Sequence, residues 1–133
     1  MLKYIELSSY ARNELIDITP NVAELVKKMG VSNGVAYLCC LHTTAGITIN
    51  EGADPDVRRD ISRYFEQLVP VDASFDHSEG NSDAHVKSSL VGVSATVLIS
   101  GGSLLLGTWQ AIYFCEFDGP RTRKVAVKIV ADR

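Results

Sequence analysis

The spacing of apolar residues along the chain predicts a fold with more strand than helix. Residues 2–8 and 15–18 have the apolar pattern of two short strands, and 34–41 is a denser apolar stretch of the kind that is covered on both sides. Residues 47–49 continue this pattern after a break of small residues. From residue 94 onward, β-favouring stretches are separated by glycine turns, which predicts three or four further strands.

Three segments have the spacing of an amphipathic helix. The first, at 19–30, opens with Thr19 as the expected cap, followed by a proline, and closes at a glycine. The second, at 54–69, opens with Asp54 and a proline and ends before the next proline. The third is a short helix within 84–91 that follows a polar loop.

The order of these elements is typical of an α+β fold. Strands, a helix, strands, two helices and a final run of strands fit a mostly antiparallel sheet or sandwich with about three helices packed on one side. The chain has 133 residues, enough for one core. Because no internal repeat or linker divides it, we predict a single domain over residues 1–133.

The charge balance narrows the classes of function. Thirteen Lys and Arg residues against 16 Asp and Glu give a net charge of −3, so the chain lacks the positive field that binds nucleic acid. It also has no apolar run of the ~20 residues that cross a bilayer, and no signal peptide at its start. We therefore expect a cytoplasmic protein that binds neither nucleic acid nor membranes.

The three histidines all lie in polar segments. His42 begins a His-Thr-Thr-Ala-Gly stretch, while His77 and His85 stand eight residues apart around a polar loop. Histidine is a common zinc ligand and titrates near neutrality. This spacing is looser than that of a His-Glu-x-x-His helix, so shared metal ligation and hydrogen-bonded loop histidines both remain open.

Carboxylates are dense around the same loop. Glu79 and Asp83 flank the step into the third helix, where they can bind Mg²⁺ through oxygen or act as acid and base. Asp83 also falls in the first turn of that helix, and there a negative charge stabilises the helix dipole. Function and helix stabilisation therefore both remain open for Asp83.

Two features of the sequence can receive an anion. Gly80, Asn81 and Ser82 lead into a helix N-terminus, whose free N–H groups suit a phosphate. Arg121 and Arg123 follow an Asp-Gly-Pro turn, although solvated charges at a turn are the simpler interpretation. Elsewhere, Gln110 can place an amide donor in a pocket.

Taken together, these motifs resemble the YjbQ family, whose members are described as secondary thiamine-phosphate synthase enzymes. The likeness covers nearly the whole chain and is dense in three stretches. These are HTTAGITINE at 42–51 with DPDV at 54–57, EGNSDAH at 79–85, and the stretch from 94 through GTWQ at 107–110 to EFDGPR at 116–121.

The resemblance implies an α+β fold, a homotrimer and a pocket near the polar motifs. It also implies a secondary activity that joins a thiazole phosphate to a pyrimidine diphosphate, giving thiamine phosphate. In such a reaction the diphosphate leaves while a cation-like pyrimidine methylene is held near the thiazole nitrogen. Positioning and charge stabilisation are therefore the main tasks of the protein.

Residue chemistry and the resemblance together give candidate roles. The expected catalytic residues are His42, His77, Glu79 and His85. The expected ligands of a small phosphorylated molecule are Asn50, Asn81, Lys87, Gln110, Arg121 and Arg123. The expected ligands of a divalent metal, Mg or Zn, are His42, His77, His85, Glu79 and Asp83.

Two other functions compete with the synthase. One is metal-dependent hydrolysis of a small phosphate ester, in which three histidines would bind a metal that activates water. The other is a trimer that binds a metabolite or a protein partner without catalysis.

Overall fold

The structure is a computed structural model that describes residues 2–133. Eight strands and three helices follow one another along this part of the chain. They are β1 (Leu2–Ser8), β2 (Glu14–Asp17), α1 (Thr19–Met29), β3 (Gly34–Cys40), β4 (Ala45–Glu51), α2 (Pro55–Leu68), α3 (Ser82–Val91), β5 (Ser94–Ser100), β6 (Ser103–Leu104), β7 (Gln110–Glu116) and β8 (Thr122–Ala131).

The strands form two sheets. One has five strands in the order β1-β8-β3-β5-β6, and the other has three in the order β2-β7-β4. All strand pairs recorded in residues 2–133 are antiparallel. The α+β class predicted from the sequence is thus confirmed, together with its three helices. Four strands close the chain where the sequence predicted three or four.

The two sheets pack face to face, and β7 is covered on both sides. Ile112 and Phe114 of this strand lie in the core between the sheets. Tyr113 and Cys115 point to the other face, where they pack with residues of α2 and α3. Alternate side chains of a strand point to opposite faces, so the continuous apolar run at 111–115 fits a strand buried on both sides.

The three helices take two different positions. α2 and α3 cover the outer face of the three-stranded sheet, as their contacts with Tyr113 and Cys115 indicate. α1 differs, because its buried Val22 and Val26 join the core between the sheets.

One predicted helix cap is confirmed and one is wrong. Asp54 caps α2, since its carboxylate accepts a hydrogen bond from the N–H of Asp56 at 2.9 Å. The N-cap residue of α1 is Ile18 and not Thr19. The hydroxyl of Thr19 instead accepts a hydrogen bond from the N–H of Ile112 at 2.8 Å, and this bond ties α1 to β7.

The outer face of the five-stranded sheet carries several exposed apolar side chains. Adjacent strands contribute to this face, which we call the apolar sheet face, and its members are Leu2, Tyr4, Tyr37, Leu98 and Val130. Solvated faces of antiparallel sheets are usually polar, so these residues mark a surface suited to a protein contact. Among residues 2–133, no helix has both the length and the apolar character needed to cross a membrane.

Candidate functional site

Three loops meet at one edge of the three-stranded sheet. β4 and β7 pair with Ala45 opposite Glu116, so the loop before β4 and the loop after β7 lie at the same edge. The segment that enters α3 completes a cavity of about 370 Å³. The cavity is lined by Leu41, His42, Thr43, Thr44, Glu79, Asn81, His85, Asp118, Arg121 and Arg123.

A buried ion pair supports this cavity, and its arginine is one of the lining residues. The Arg123 guanidinium donates two hydrogen bonds to the Glu116 carboxylate, from Nε at 2.7 Å and from Nη2 at 2.5 Å. Nη2 also donates to Thr44 Oγ1 at 2.9 Å, which joins β8 to the loop before β4. Both charged side chains are almost fully buried, so the pair holds Arg123 in one orientation at the cavity.

Glu116 is ionised in this environment. Burial acts to raise the pKa of its carboxyl, but hydrogen bonds from Arg123, the Asp118 N–H and the Ser9 hydroxyl outweigh burial and lower the pKa. The Asp118 N–H lies 2.9 Å from Oε1, and Ser9 Oγ lies 2.8 Å from Oε2. The carboxylate is thereby satisfied at both oxygens.

His42 is held in its neutral form with a defined tautomer. Its Nε2 accepts a hydrogen bond from the N–H of Lys124 at 2.9 Å, which places the ring proton on Nδ1. Burial lowers the pKa of His42, and the positive charges of Arg123 and Arg121 lower it further. His42 therefore presents a neutral N–H donor near the two arginines.

Asn81 and Asp118 connect two walls of the cavity. Asn81 Nδ2 donates to Asp118 Oδ2 at 2.9 Å, and this bond fixes the amide because a carboxylate only accepts. Arg121 donates to the same oxygen, since its Nη2 lies 3.1 Å from Asp118 Oδ2, and its side chain is 53% exposed. Arg121 is therefore anchored yet still accessible.

In the described part of the chain, the side-chain amide oxygen of Asn81 lacks a hydrogen-bond partner, unlike the other polar groups described around it. Asn81 is 7% exposed, and within residues 2–133 its Oδ1 has no hydrogen-bond partner. Nor does its side chain cap α3, although Asn81 is the N-cap residue. The first-turn N–H groups of α3 therefore stay without a side-chain partner beside the cavity, as at an anion site.

Glu79 and His85 complete the polar lining, and His77 lies next to them. The rings of His77 and His85 meet edge to face with centroids 5.6 Å apart. His77 Nε2 is 3.7 Å from Glu79 Oε2. The structure thus gathers all three predicted histidines, Glu79, Asn81 and both predicted arginines at or beside one cavity.

Asp83 and Lys87 do not line this cavity. Lys87 Nζ donates to Asp83 Oδ2 at 3.1 Å, and both side chains are almost fully buried. The other Asp83 oxygen accepts from Arg12 Nη2 at 2.9 Å. These internal partners occupy the groups for which the sequence predicted metal and phosphate binding.

The five predicted metal ligands are not brought together. Asp83 is held by Arg12 and Lys87 and does not line the cavity. In the part of the chain that the structure describes, no group of three or more His, Cys, Asp or Glu side chains is placed to hold a metal ion. The residues of one chain therefore do not fit such an ion as they are arranged.

Asn50 and Gln110 lie at the opposite end of the three-stranded sheet. Gln110 pairs with Glu51, six residues along β4 from the Ala45–Glu116 pair at the cavity edge, which is a separation of about 20 Å at ~3.4 Å per residue. Gln110 Oε1 accepts the Gly107 N–H and Asn50 Oδ1 accepts the Glu51 N–H, each at 2.7 Å. Within one chain, neither residue reaches the cavity.

Several residues that build the site carried no predicted role. Thr44 and Asp118 line the cavity, while Ser9 and Glu116 support it from behind. The sequence did hold one signal, because Glu116 ends an apolar strand and a buried carboxylate needs a partner. Ser9 had no such signal, since 107 residues separate it from Glu116.

The fold and the cavity define a small α+β protein whose two-sheet sandwich carries a pocket of arginine, histidine, amide and carboxylate groups. Residues 3–132 match the family model described as UPF0047 protein YjbQ-like, and the chain belongs to this family. The family resemblance seen in the motifs is thus confirmed.

Relatives are found in bacteria and archaea. The chain is 51% identical to UPF0047 protein YugU of Bacillus subtilis, over 98% of this chain and 99% of that protein. It is also 51% identical to a UPF0047 protein of Methanocaldococcus jannaschii, over 100% of this chain and 96% of that protein.

Solved structures share the fold. A YjbQ/UPF0047 family protein from Clostridium acetobutylicum superposes with a TM-score of 0.94 at 52% identity, covering 96% of this chain and 99% of that chain. A Sulfolobus solfataricus protein, described as YbjQ-like and of unknown function, gives a TM-score of 0.94 at 31% identity, covering 99% of this chain and 97% of that chain.

Proposed function

We propose that the cavity binds a phosphorylated small molecule and that the protein is a transferase with secondary thiamine-phosphate synthase activity. The observation that carries the proposal is the meeting of Arg121, Arg123 and the uncapped N-terminus of α3 at one cavity. Guanidinium groups and free helix N–H groups are both ligands for phosphate. A volume of about 370 Å³ suits a small ligand.

In this proposal the diphosphate of the pyrimidine substrate faces the two arginines. The C–O bond between the pyrimidine methylene and the diphosphate breaks, and the diphosphate keeps the electron pair. The thiazole nitrogen donates its lone pair to the methylene carbon, forming the new C–N bond. Arg121 and Arg123 stabilise the negative charge that grows on the leaving group.

The other polar groups of the cavity bind and orient the two substrates in this proposal. His42 donates a hydrogen bond from Nδ1 to a phosphate oxygen, since its Nε2 already accepts from the Lys124 N–H. Glu79 offers a carboxylate to the cation-like methylene, and His85 orients the ligand from α3. Because these groups are positioned before the ligand arrives, they act by preorganisation.

Product formation tests the transferase directly. The purified protein is incubated with thiazole phosphate and pyrimidine diphosphate, with and without Mg²⁺, and thiamine phosphate is measured. His85→Ala should abolish product formation or ligand binding while the melting temperature stays within a few degrees. Arg63→Ala, which removes an exposed arginine from α2, is the matched control.

The same experiment separates the competing functions. Saturable binding without product above the uncatalysed control would indicate a binding protein. Release of phosphate from simple esters, with stoichiometric zinc, nickel or iron that survives dialysis, would indicate a hydrolase. Elemental analysis also tests the divalent metal that the sequence predicted for His42, His77, His85 and Glu79, which the arrangement of these residues in one chain does not itself support.

We also propose that the protein is a cytoplasmic homotrimer. The apolar sheet face supports assembly, since exposed Tyr37 and Leu98 lie on neighbouring strands there. Light scattering after size exclusion should give the mass of three chains, and a Tyr37→Glu, Leu98→Glu double variant should give a smaller mass. A wild-type protein that elutes as a monomer would contradict the assembly.

A further inference from the structure

The loop between β1 and β2 contacts two walls of the cavity without lining it. Arg12, in this loop, extends its side chain to the segment that enters α3. Its Nη2 donates to Asp83 Oδ1 at 2.9 Å and to the Gly80 carbonyl at 3.3 Å. Gly80 precedes Asn81 in the chain and Asp83 follows it, so the Arg12 guanidinium holds the segment on both sides of Asn81. Asn81 is the residue whose amide bonds to Asp118.

The backbone of Arg12 holds the opposite wall. Its carbonyl oxygen accepts a hydrogen bond from the Gly119 N–H at 3.1 Å, directly beside Asp118. The two loops are in close contact here, because a Cβ on Gly119 would lie 2.1 Å from the Ala11 carbonyl oxygen. Arg12 is therefore bonded to a neighbour of each member of the Asn81–Asp118 pair.

The side-chain anchor of Arg12 is itself rigid. Asp83 is almost fully buried, and its second oxygen accepts from Lys87 Nζ at 3.1 Å. Lys87 Nζ also donates to Asn13 Oδ1 at 3.2 Å, which returns the network to the same loop. A surface ion pair moves freely, whereas a pair with a buried and doubly bonded carboxylate keeps one geometry.

We infer that Arg12 is a positioning residue that fixes the Asn81–Asp118 pair across the cavity and thereby sets the affinity for the anionic ligand. The part that concerns affinity rests on the proposed phosphate binding. The part that concerns geometry does not, because the Asn81–Asp118 hydrogen bond joins two side chains of the protein itself.

Two variants of Arg12 separate positioning from simple attraction of an anion. Arg12→Ala removes both the charge and the two hydrogen bonds. Arg12→Lys keeps the charge, but its shorter side chain and its different donor geometry do not reproduce both bonds. Arg63→Ala is the control, because it removes an exposed arginine that pairs with exposed Asp60 on the same helix.

Two measurements are made on the full-length protein. The side-chain amide signals of Asn81, assigned by comparison with Asn81→Ala, report the bond to Asp118 in NMR spectra without ligand. Titration with inorganic phosphate and with pyrophosphate reports affinity. We expect the Asn81 amide signals to shift or broaden in both Arg12 variants, and the affinity to fall about tenfold in each.

The outcomes are distinct. Unchanged Asn81 signals in a folded Arg12→Ala variant would overturn the inference. Wild-type affinity in the Arg12→Lys variant would also overturn it, because it would show that Arg12 acts by its charge alone. If Arg12→Ala does not fold, Arg12→Lys decides. A wild-type protein that binds neither anion would contradict the proposed phosphate site, while the Asn81 signals would still decide the role of Arg12.

Discussion

Two buried ion pairs lie close to the cavity, and only one of them contributes to its lining. In the first, Arg123 binds Glu116 through two nitrogens and also reaches Thr44. In the second, Lys87 binds Asp83. Arg123 lines the cavity, whereas Lys87 does not. A planar guanidinium has five donors and can serve a carboxylate and a ligand together, while an ammonium has only three.

The contrast shows what a buried basic residue needs in order to stay available to a ligand. Lys87 Nζ already donates to Asp83 and Asn13, and it lies 6.0 Å from the centre of the Phe117 ring. Both pairs are internal to the fold, so breaking either should destabilise it. Only the loss of the first pair should also weaken ligand binding to a large extent.

The largest effect is expected for Glu116→Gln. This change leaves the buried Arg123 guanidinium without its counter-charge, which should lower the free energy of unfolding by about 3–5 kcal/mol. Urea denaturation measures the change, and phosphate titration should show that binding is lost as Arg123 moves. A loss below about 1 kcal/mol would mean that water or Thr44 compensates Arg123, and would contradict a structural role for the pair.

A smaller loss of stability is expected for Lys87→Met. Asp83 keeps Arg12 as its partner, so the free energy of unfolding should fall by about 2 kcal/mol, less than for Glu116→Gln.

The phosphate titration of Lys87→Met sharpens the contrast. Its affinity should stay within about threefold of the wild-type value, because the bonds of Arg12 to Asp83 and Gly80 are kept. An affinity loss as large as that of Glu116→Gln would restore Lys87 as a ligand of the phosphorylated molecule, as the sequence predicted.

Local signals in the sequence were sufficient for most of the fold. A proline near the start of α1 and another at the start of α2 mark where these helices begin, and Gly30 marks the end of α1. Gly30 does take a left-handed conformation, with φ of 65°. The apolar run at 111–115 marks the central strand of the smaller sheet. Thr19 shows the limit, because its hydroxyl bonds to Ile112, 93 residues away, and no local pattern contains that contact.

The site was predictable only where its residues lie near strand ends that meet. His42, in the loop before β4, and Arg123, at the start of β8, were expected to act together, and both line the cavity at the edge where Ala45 of β4 pairs with Glu116 of β7. Asn50 belongs to the same motif as His42 but stands at the far end of β4. The ion pair between Asp83 and Lys87 was predictable, since a four-residue spacing on a helix favours such a pair. From the sequence, these two residues were instead expected to bind metal and phosphate.

An intermediate effect on binding, with little effect on stability, is expected for Arg121→Ala. The side chain is 53% exposed and accessible to a ligand, so its removal should lower phosphate affinity about tenfold. The free energy of unfolding should change by less than about 1 kcal/mol, as for other exposed ion pairs. Arg63→Ala, with a similarly exposed arginine, controls for the loss of one positive charge. Equal affinities for the two variants would argue against a direct contact between Arg121 and phosphate.

The smallest effects concern pH, and they separate His42 from Glu116. The pKa of His42 is lowered from 6.5 in the folded protein, so between pH 6.5 and the lower value the unfolded chain binds more protons. The free energy of unfolding should therefore fall as the pH falls through this window. The stability contributed by Glu116, whose pKa is lowered from 4.5, is complete above pH 4.5 and is lost only at more acidic pH.

His42→Asn should remove the first of these two slopes and leave the second. The comparison is made by urea denaturation at a series of pH values from 7.5 to about 3, for the wild-type protein and the variant. Asparagine does not titrate near pH 6.5. The plots of the free energy of unfolding against pH for the two proteins should therefore be parallel above pH 6.5 and converge as the pH falls below it. A variant that keeps the wild-type slope just below pH 6.5 would show that another group titrates there, and that the N–H of Lys124 does not hold His42 neutral.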